Sequence, residues 1–156
     1  MVYGFNFVYT PADPARKVSD AFDLKLIAEI PWGDPRMSVL DTRTANGLFF
    51  ARITYRPADF QVARWEAWQS NSNAHASGEG KASYLKGSPA RRTAVEEAVK
   101  NAIRRYVSGR IYSRPREISG SLALLDAPRI IVQTGNYVAT VRIALDVRSV
   151  KPYTVF

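Results

Sequence analysis

The segment from Ser88 to Gly109 is one long stretch whose apolar residues recur at helical spacing, set between segments that alternate with period two. Ala90, Ala94, Val95, Ala98, Val99, Ala102, Ile103, Tyr106 and Val107 fall three and four residues apart, which makes one face of a helix apolar. Ser88 suits the cap position and Pro89 the first helical position, and Gly109 offers a left-handed stop, so a helix is expected over about 89–107. Four of the apolar positions are alanines, so this helix can lie close against a sheet.

The flanking segments read as strands. Tyr3, Phe5, Phe7 and Tyr9 share one face of Val2–Tyr9, and Phe22, Leu24, Leu26, Ala28 and Ile30 share one face of Phe22–Ile30. Met37–Arg43 and Leu48–Arg56 flank Asn46-Gly47, a pair that supplies the positive φ of a tight hairpin turn. Arg129–Gln133 and Tyr137–Arg148 form a second hairpin around Thr134-Gly135-Asn136. Residues 57–69 fit neither period well, with strand slightly preferred over a short helix. The Ser-, Asn- and Gly-rich stretch 70–87 is expected to be a long loop, and 110–120 a Pro-interrupted basic connection. The order strands, helix, strands predicts an α+β fold: a largely antiparallel sheet of about six strands with two hairpins, and the long helix on one face. At 156 residues, a single domain covering 1–156 is expected.

Charge is unevenly placed. The net +8 arises entirely within 85–156, which holds thirteen basic and five acidic residues, whereas 1–84 holds nine of each. The densest part interleaves Arg104, Arg105, Arg110, Arg114 and Arg116 with Tyr106 and Tyr112. Guanidinium forks suit phosphate and aromatic rings suit unpaired bases, so Arg104, Arg105, Arg110, Tyr112, Arg114 and Arg116 are candidate contacts for nucleic acid or for an acidic protein neighbour. Cations are also favoured at a helix C-terminus on purely structural grounds. Tyr3, Phe5, Phe7 and Tyr9 form a candidate aromatic interface, with burial beneath the helix the favoured alternative, and Trp65 and Trp68 are candidate interface anchors for which core packing is the default.

Familiar catalytic designs find little material here. No cysteine is present and there is one histidine, which removes thiolate chemistry, Cys-ligated metals and the Ser-His-acid and multi-His arrangements. No cofactor or metal is expected. Gly78-Glu79-Gly80-Lys81-Ala82-Ser83 misses the phosphate-loop pattern twice, since His75 stands where the first glycine belongs and Ala82 follows the lysine. His75 has no nearby acid in sequence, Glu96 and Lys100 read as a helix surface pair, and Asp41 with Glu66 is a carboxylate pair that only the fold could bring together. A small carboxylate-dependent hydrolase is the least supported of three readings. No apolar run is long enough to span a bilayer, and Met1–Thr10 does not read as a signal peptide, so virion or cytoplasm is the preferred location.

GEGKA followed by SPARRTAVEEAVKNAIRRYVSG is similar to the Gly-x-Gly and Ala/Arg-rich helix of single-strand annealing proteins, a resemblance that implies a DNA-binding ring. The same helix followed by a hairpin ending YVATVRIALDV resembles the N-terminal module of bacterial flagellar and outer-membrane assembly proteins. Each likeness covers at most about half the chain, and the residues assign it to neither family. The leading expectation is a non-enzymatic structural or assembly subunit, of the phage- or virus-particle kind, that forms homo-oligomers and meets other assembly proteins. The alternative is a nucleic-acid-binding protein using segment 103–116.

Overall fold

The computed structural model describes residues 4–70, 72–110 and 115–153. Its architecture is α+β, with an antiparallel six-stranded sheet, a long helix on one sheet face and a second, shorter helix. The strands are β1 (Phe5–Thr10), β2 (Ala21–Leu26), β3 (Met37–Ala45), β4 (Leu48–Tyr55), β5 (Ala74–Ser83), β6 (Glu117–Leu124), β7 (Arg129–Gln133) and β8 (Asn136–Lys151). The helices are α1 (Asp59–Gln69) and α2 (Pro89–Arg110).

Strand β8 is the spine of the sheet, whose order is β2-β1-β6-β8-β5. One edge of β8 pairs with β5 over Asn136–Leu145, and the other carries β7 along its first residues and β6 along its last. Leu26, Phe5, Leu122, Leu145 and Ala74 are successive register partners, so they form one row running from edge to edge. The chain leaves the sheet just after Leu26 and re-enters at Ala74, the two ends of this row. Everything between them is an excursion from the body.

Core packing explains both what the sequence revealed and what it concealed. Phe7, Ile118, Leu122, Val141, Ile143 and Leu145 face α2 and meet Val99 and Ile103 in the buried cluster. On β5 the positions facing α2 are Ala74, Ala76, Gly78, Gly80 and Ala82, the partners of Leu145, Ile143, Val141, Ala139 and Tyr137. Here the helix backbone almost touches the strand, because a Cβ on Gly78 would lie 2.1 Å from the Ala98 carbonyl oxygen. Such a strand must be made of small residues, so it carries no large apolar alternation.

That is why 70–87, expected as a loop, contains the ten-residue strand β5. Likewise β6 occupies part of the expected connection 110–120, with Ser119, Gly120 and Ser121 masking its periodicity. Within 57–69, Asp59–Gln69 forms α1 and not the preferred strand; α1 has only sparse contacts with the sheet, so no core imposes a 3.6-residue stripe on it. The strand expected to reach Ile30 stops at Leu26, one further bond running from the Ile27 amide to the Gly4 carbonyl. Gly109 is not a left-handed stop, since it lies within α2 without a positive φ and the helix extends to Arg110. Glu96 pairs with Arg92 at 2.9 Å and Lys100 with Glu97 at 2.7 Å, so the expected Glu96–Lys100 pair gives way to other spacings.

Both expected hairpins are present. Asn46 and Gly47 have φ of 52° and 71°, and Thr134 and Gly135 have 47° and 71°, as two-residue turns require. The β7–β8 hairpin belongs to the main sheet, whereas among the described residues β3 and β4 pair only with each other. Among the described residues, no helix is long and apolar enough to cross a membrane.

Candidate interaction surface

Among the described residues of the basic segment, Arg104 is engaged within the chain. Arg104 is turned inward, where its guanidinium binds the Asp20 carboxylate, donates to Asn101 Oδ1 at 2.7 Å and lies 4.9 Å from the Phe22 ring centroid. Phe22 in turn stacks on Tyr9, with centroids 4.1 Å apart and planes 11° apart. Burial, reinforced by the neighbouring Asp20 carboxylate, pushes the Tyr9 phenol up to about 12. Arg104 therefore clamps the β2 edge to the end of α2, and its charge is already partnered.

The other arginines are more accessible. Arg105 is exposed on α2, and Arg110, the last residue of that helix, lies over the Tyr106 ring at 5.1 Å. Arg110 and Tyr106 line a polar cleft with Ser72, Asn73, Ala74 and His75. Arg116 is exposed just before β6, its amide held by the Lys151 carbonyl at 2.8 Å. Tyr112, Arg114 and Tyr3 lie outside the described residues.

The first-strand aromatics resolve into core residues. Phe7 is 2% exposed and Tyr9 7%, both in the cluster beneath α2, and Phe5 packs against that cluster. Phe5, Phe7 and Tyr9 are thus used within the chain and do not offer a free aromatic interface. Trp65 and Trp68 stand on α1 and not in the core; Trp65 is exposed, and Trp68 lines a shallow cleft with Arg64, Ala67, Asn73 and Asp146.

The surface that sequence reasoning missed is the excursion itself. The β3–β4 hairpin makes its principal contacts internally, and it and α1 together expose Val39, Leu40, Leu48, Phe49, Phe50, Ile53, Phe60, Val62 and Trp65. Phe49 is 70% exposed and Phe60 60%. The hairpin itself was legible, but nothing in its residues says that it leaves the sheet. At the arm's base, Gln61 is buried, and its side-chain oxygen accepts from the Tyr55 hydroxyl at 3.0 Å and the Ala58 amide at 2.8 Å. This couples the end of β4 to the first turn of α1, supplying the Gln half of a capping box where Ala58 has no side chain to give the other half.

The hairpin register sorts its residues into two unlike faces. Met37↔Tyr55, Val39↔Ile53, Thr42↔Ala51 and Thr44↔Phe49 make one face, and Asp41↔Arg52, Arg43↔Phe50 and Ala45↔Leu48 the other, with a bulge between Val39 and Asp41. All charged strand residues are on the second face, where the Arg43 guanidinium lies 5.4 Å from the Phe50 centroid. Asp41 lines a cleft there with Arg43, Phe50, Ala51 and Arg52, and among the described residues no second carboxylate lines it. Gly78 and Gly80 stand within a paired strand beneath a helix, so the Gly-x-Gly stretch serves packing and not phosphate. Among the described residues no cluster of His, Asp and Glu could hold a metal ion.

A protein of Treponema pallidum (strain Nichols), described as an uncharacterized protein, is 26% identical over 155 residues. The match takes in 99% of this chain and 65% of the relative, so the chain spans just under two thirds of that protein's length. No solved structure matches. By its match to the family model over residues 1–153, the chain belongs to an uncharacterised protein family.

Proposed function

We propose that this protein is a non-enzymatic structural subunit that assembles with copies of itself or with other proteins of a larger particle or machine. The observation that carries the reading is the arm formed by β3, β4 and α1, whose large apolar side chains are left uncovered by the chain's own fold. Isolated two-stranded hairpins and eleven-residue helices are marginal in water, so exposed apolar side chains on such elements favour a partner that covers them.

Arg105, Arg110 and Arg116 support a second role in contacting nucleic acid or an acidic neighbour, being exposed and basic, while Arg104 is committed to Asp20. Size-exclusion chromatography with and without nuclease separates the two readings. The assembly reading predicts an oligomer whose elution is unchanged by nuclease. Elution that falls to the monomer position on nuclease treatment would transfer the leading role to nucleic-acid binding, and replacing Arg105, Arg110 and Arg116 by Glu would then abolish the complex.

A further inference from the structure

We infer that the charged face of the β3–β4 hairpin binds the phosphate backbone of double-stranded DNA; this rests on the nucleic-acid reading and gives it a surface apart from α2. The register that sets Arg52 opposite Asp41 and Phe50 opposite Arg43 sets Thr54 opposite Ser38 on the same face. One step beyond the strands, the Arg56 amide donates to the Arg36 carbonyl at 3.0 Å, so these two arginines stand opposite each other at the foot of the hairpin. Arg36, Ser38, Thr54 and Arg56 line one cleft of this face, and Arg43 and Arg52 line the next. The equal numbers of basic and acidic residues over 1–84 conceal the arrangement, because 36–56 holds four arginines and one acid, Asp41.

The four arginines call for an anion. All are exposed, and among the described residues none has an ion-pair partner. Asp34, the acid nearest to Arg36 in sequence, accepts from the Arg36 backbone amide at 2.8 Å. Like charges directly opposite each other destabilise a strand pair, and an anion bound between Arg36 and Arg56 relieves that repulsion. Ser38 and Thr54 add hydroxyl donors of the kind that contact phosphate oxygens.

Shape and spacing favour a duplex. From Arg56 to Phe50 the chain runs about 20 Å, the length of roughly six base pairs, and a two-stranded ribbon fits the major groove. Duplex DNA carries one charge per about 1.7 Å of its axis, a density that engages several arginines at once. A single strand is held by base stacking, but Phe50, the one aromatic strand residue on this face, already lies 5.4 Å from the Arg43 guanidinium. A bilayer surface takes basic and apolar groups together, whereas Val39, Phe49 and Ile53 stand on the opposite face.

Fluorescence anisotropy of a labelled random-sequence duplex tests the assignment, with phosphatidylserine vesicles and poly-glutamate as the competing ligands. Wild type is expected to prefer the duplex to both, with log K falling against log salt at a slope of roughly −3 or steeper. Replacing Arg36→Gln and Arg56→Gln together is expected to weaken binding about tenfold at low salt and to reduce the slope by about two. Asp41→Asn removes the acid on the face and is expected to tighten binding about threefold, a gain that misfolding cannot produce.

Duplex binding that is indifferent to R36Q/R56Q and to D41N, and is lost when Arg105, Arg110 and Arg116 become Glu, overturns this face and leaves the nucleic-acid reading standing. Absence of duplex binding, or stronger binding to the vesicles or to poly-glutamate, overturns both.

Discussion

A Cβ placed on Gly80 would stand 2.1 Å from the backbone nitrogen of Ala98, a separation no side chain can occupy. Gly78 and Gly80 thus set the distance between β5 and α2, and the alanines of the helix complete the fit. Gly80→Ala is expected to destabilise the protein by about 3 kcal/mol, since the obstructing atoms are backbone and cannot rotate away. Gly109, by contrast, has open space around it and lies near the end of α2. Gly109→Ala is expected to stabilise by about 0.5–1 kcal/mol. Urea denaturation of the two variants checks the contrast.

Thr134 has a φ of 47°, which a β-branched residue adopts at a cost of about 1 kcal/mol or more. Asparagine tolerates that conformation better, so Thr134→Asn is expected to recover roughly 1 kcal/mol, read as a shift in denaturation midpoint without a change in slope.

The raised phenol of Tyr9 gives a spectroscopic handle on the Arg104 clamp. With a folded value of about 12 against 10.0 unperturbed, its contribution to stability is complete below pH 10 and disappears as pH rises through 12. Ultraviolet titration should show one tyrosine ionising last, and Tyr9→Phe should remove that component. Asp20→Asn is expected to lower the Tyr9 midpoint without restoring it fully, because burial is the larger cause.

Acid sensitivity should be traceable to Asp13. Its carboxylate accepts from Arg16 Nη1 at 2.6 Å and from the Ala15 amide at 3.1 Å, and the Arg16 side-chain hydrogen bond holds it below the usual value. The same guanidinium lies 4.4 Å from the Tyr153 ring centroid, linking the β1–β2 connection to the end of the chain. A depressed carboxylate stabilises the fold above its unfolded pKa and loses that contribution as pH falls through the folded one. Asp13→Asn should therefore lower the melting temperature near neutrality and make it fall less steeply below pH 4.

The α+β class and the long helix were legible because α2 and the large-residue strands carry their burial pattern in apolar side chains. Strands β5 and β6 were not, because close backbone approach replaces large residues with Gly, Ala and Ser and erases the alternation. Of the basic segment's candidate contacts, Arg105, Arg110 and Arg116 are exposed, but Arg104 could be recognised as structural only once Asp20, 84 positions earlier, was seen beside it. The arm was hidden for a different reason. Its hairpin has ordinary strand residues and an ordinary Asn-Gly turn, and only the strand order reveals that, among the described residues, β3 and β4 join no other strand.

Self-assembly through the arm is tested most directly by light scattering of nuclease-treated protein over a wide dilution series. Assembly predicts a mass at micromolar concentration that is a multiple of 17.4 kDa, falling to 17.4 kDa when Phe49 is replaced by Asp. A wild-type mass of 17.4 kDa across the whole series would contradict the account.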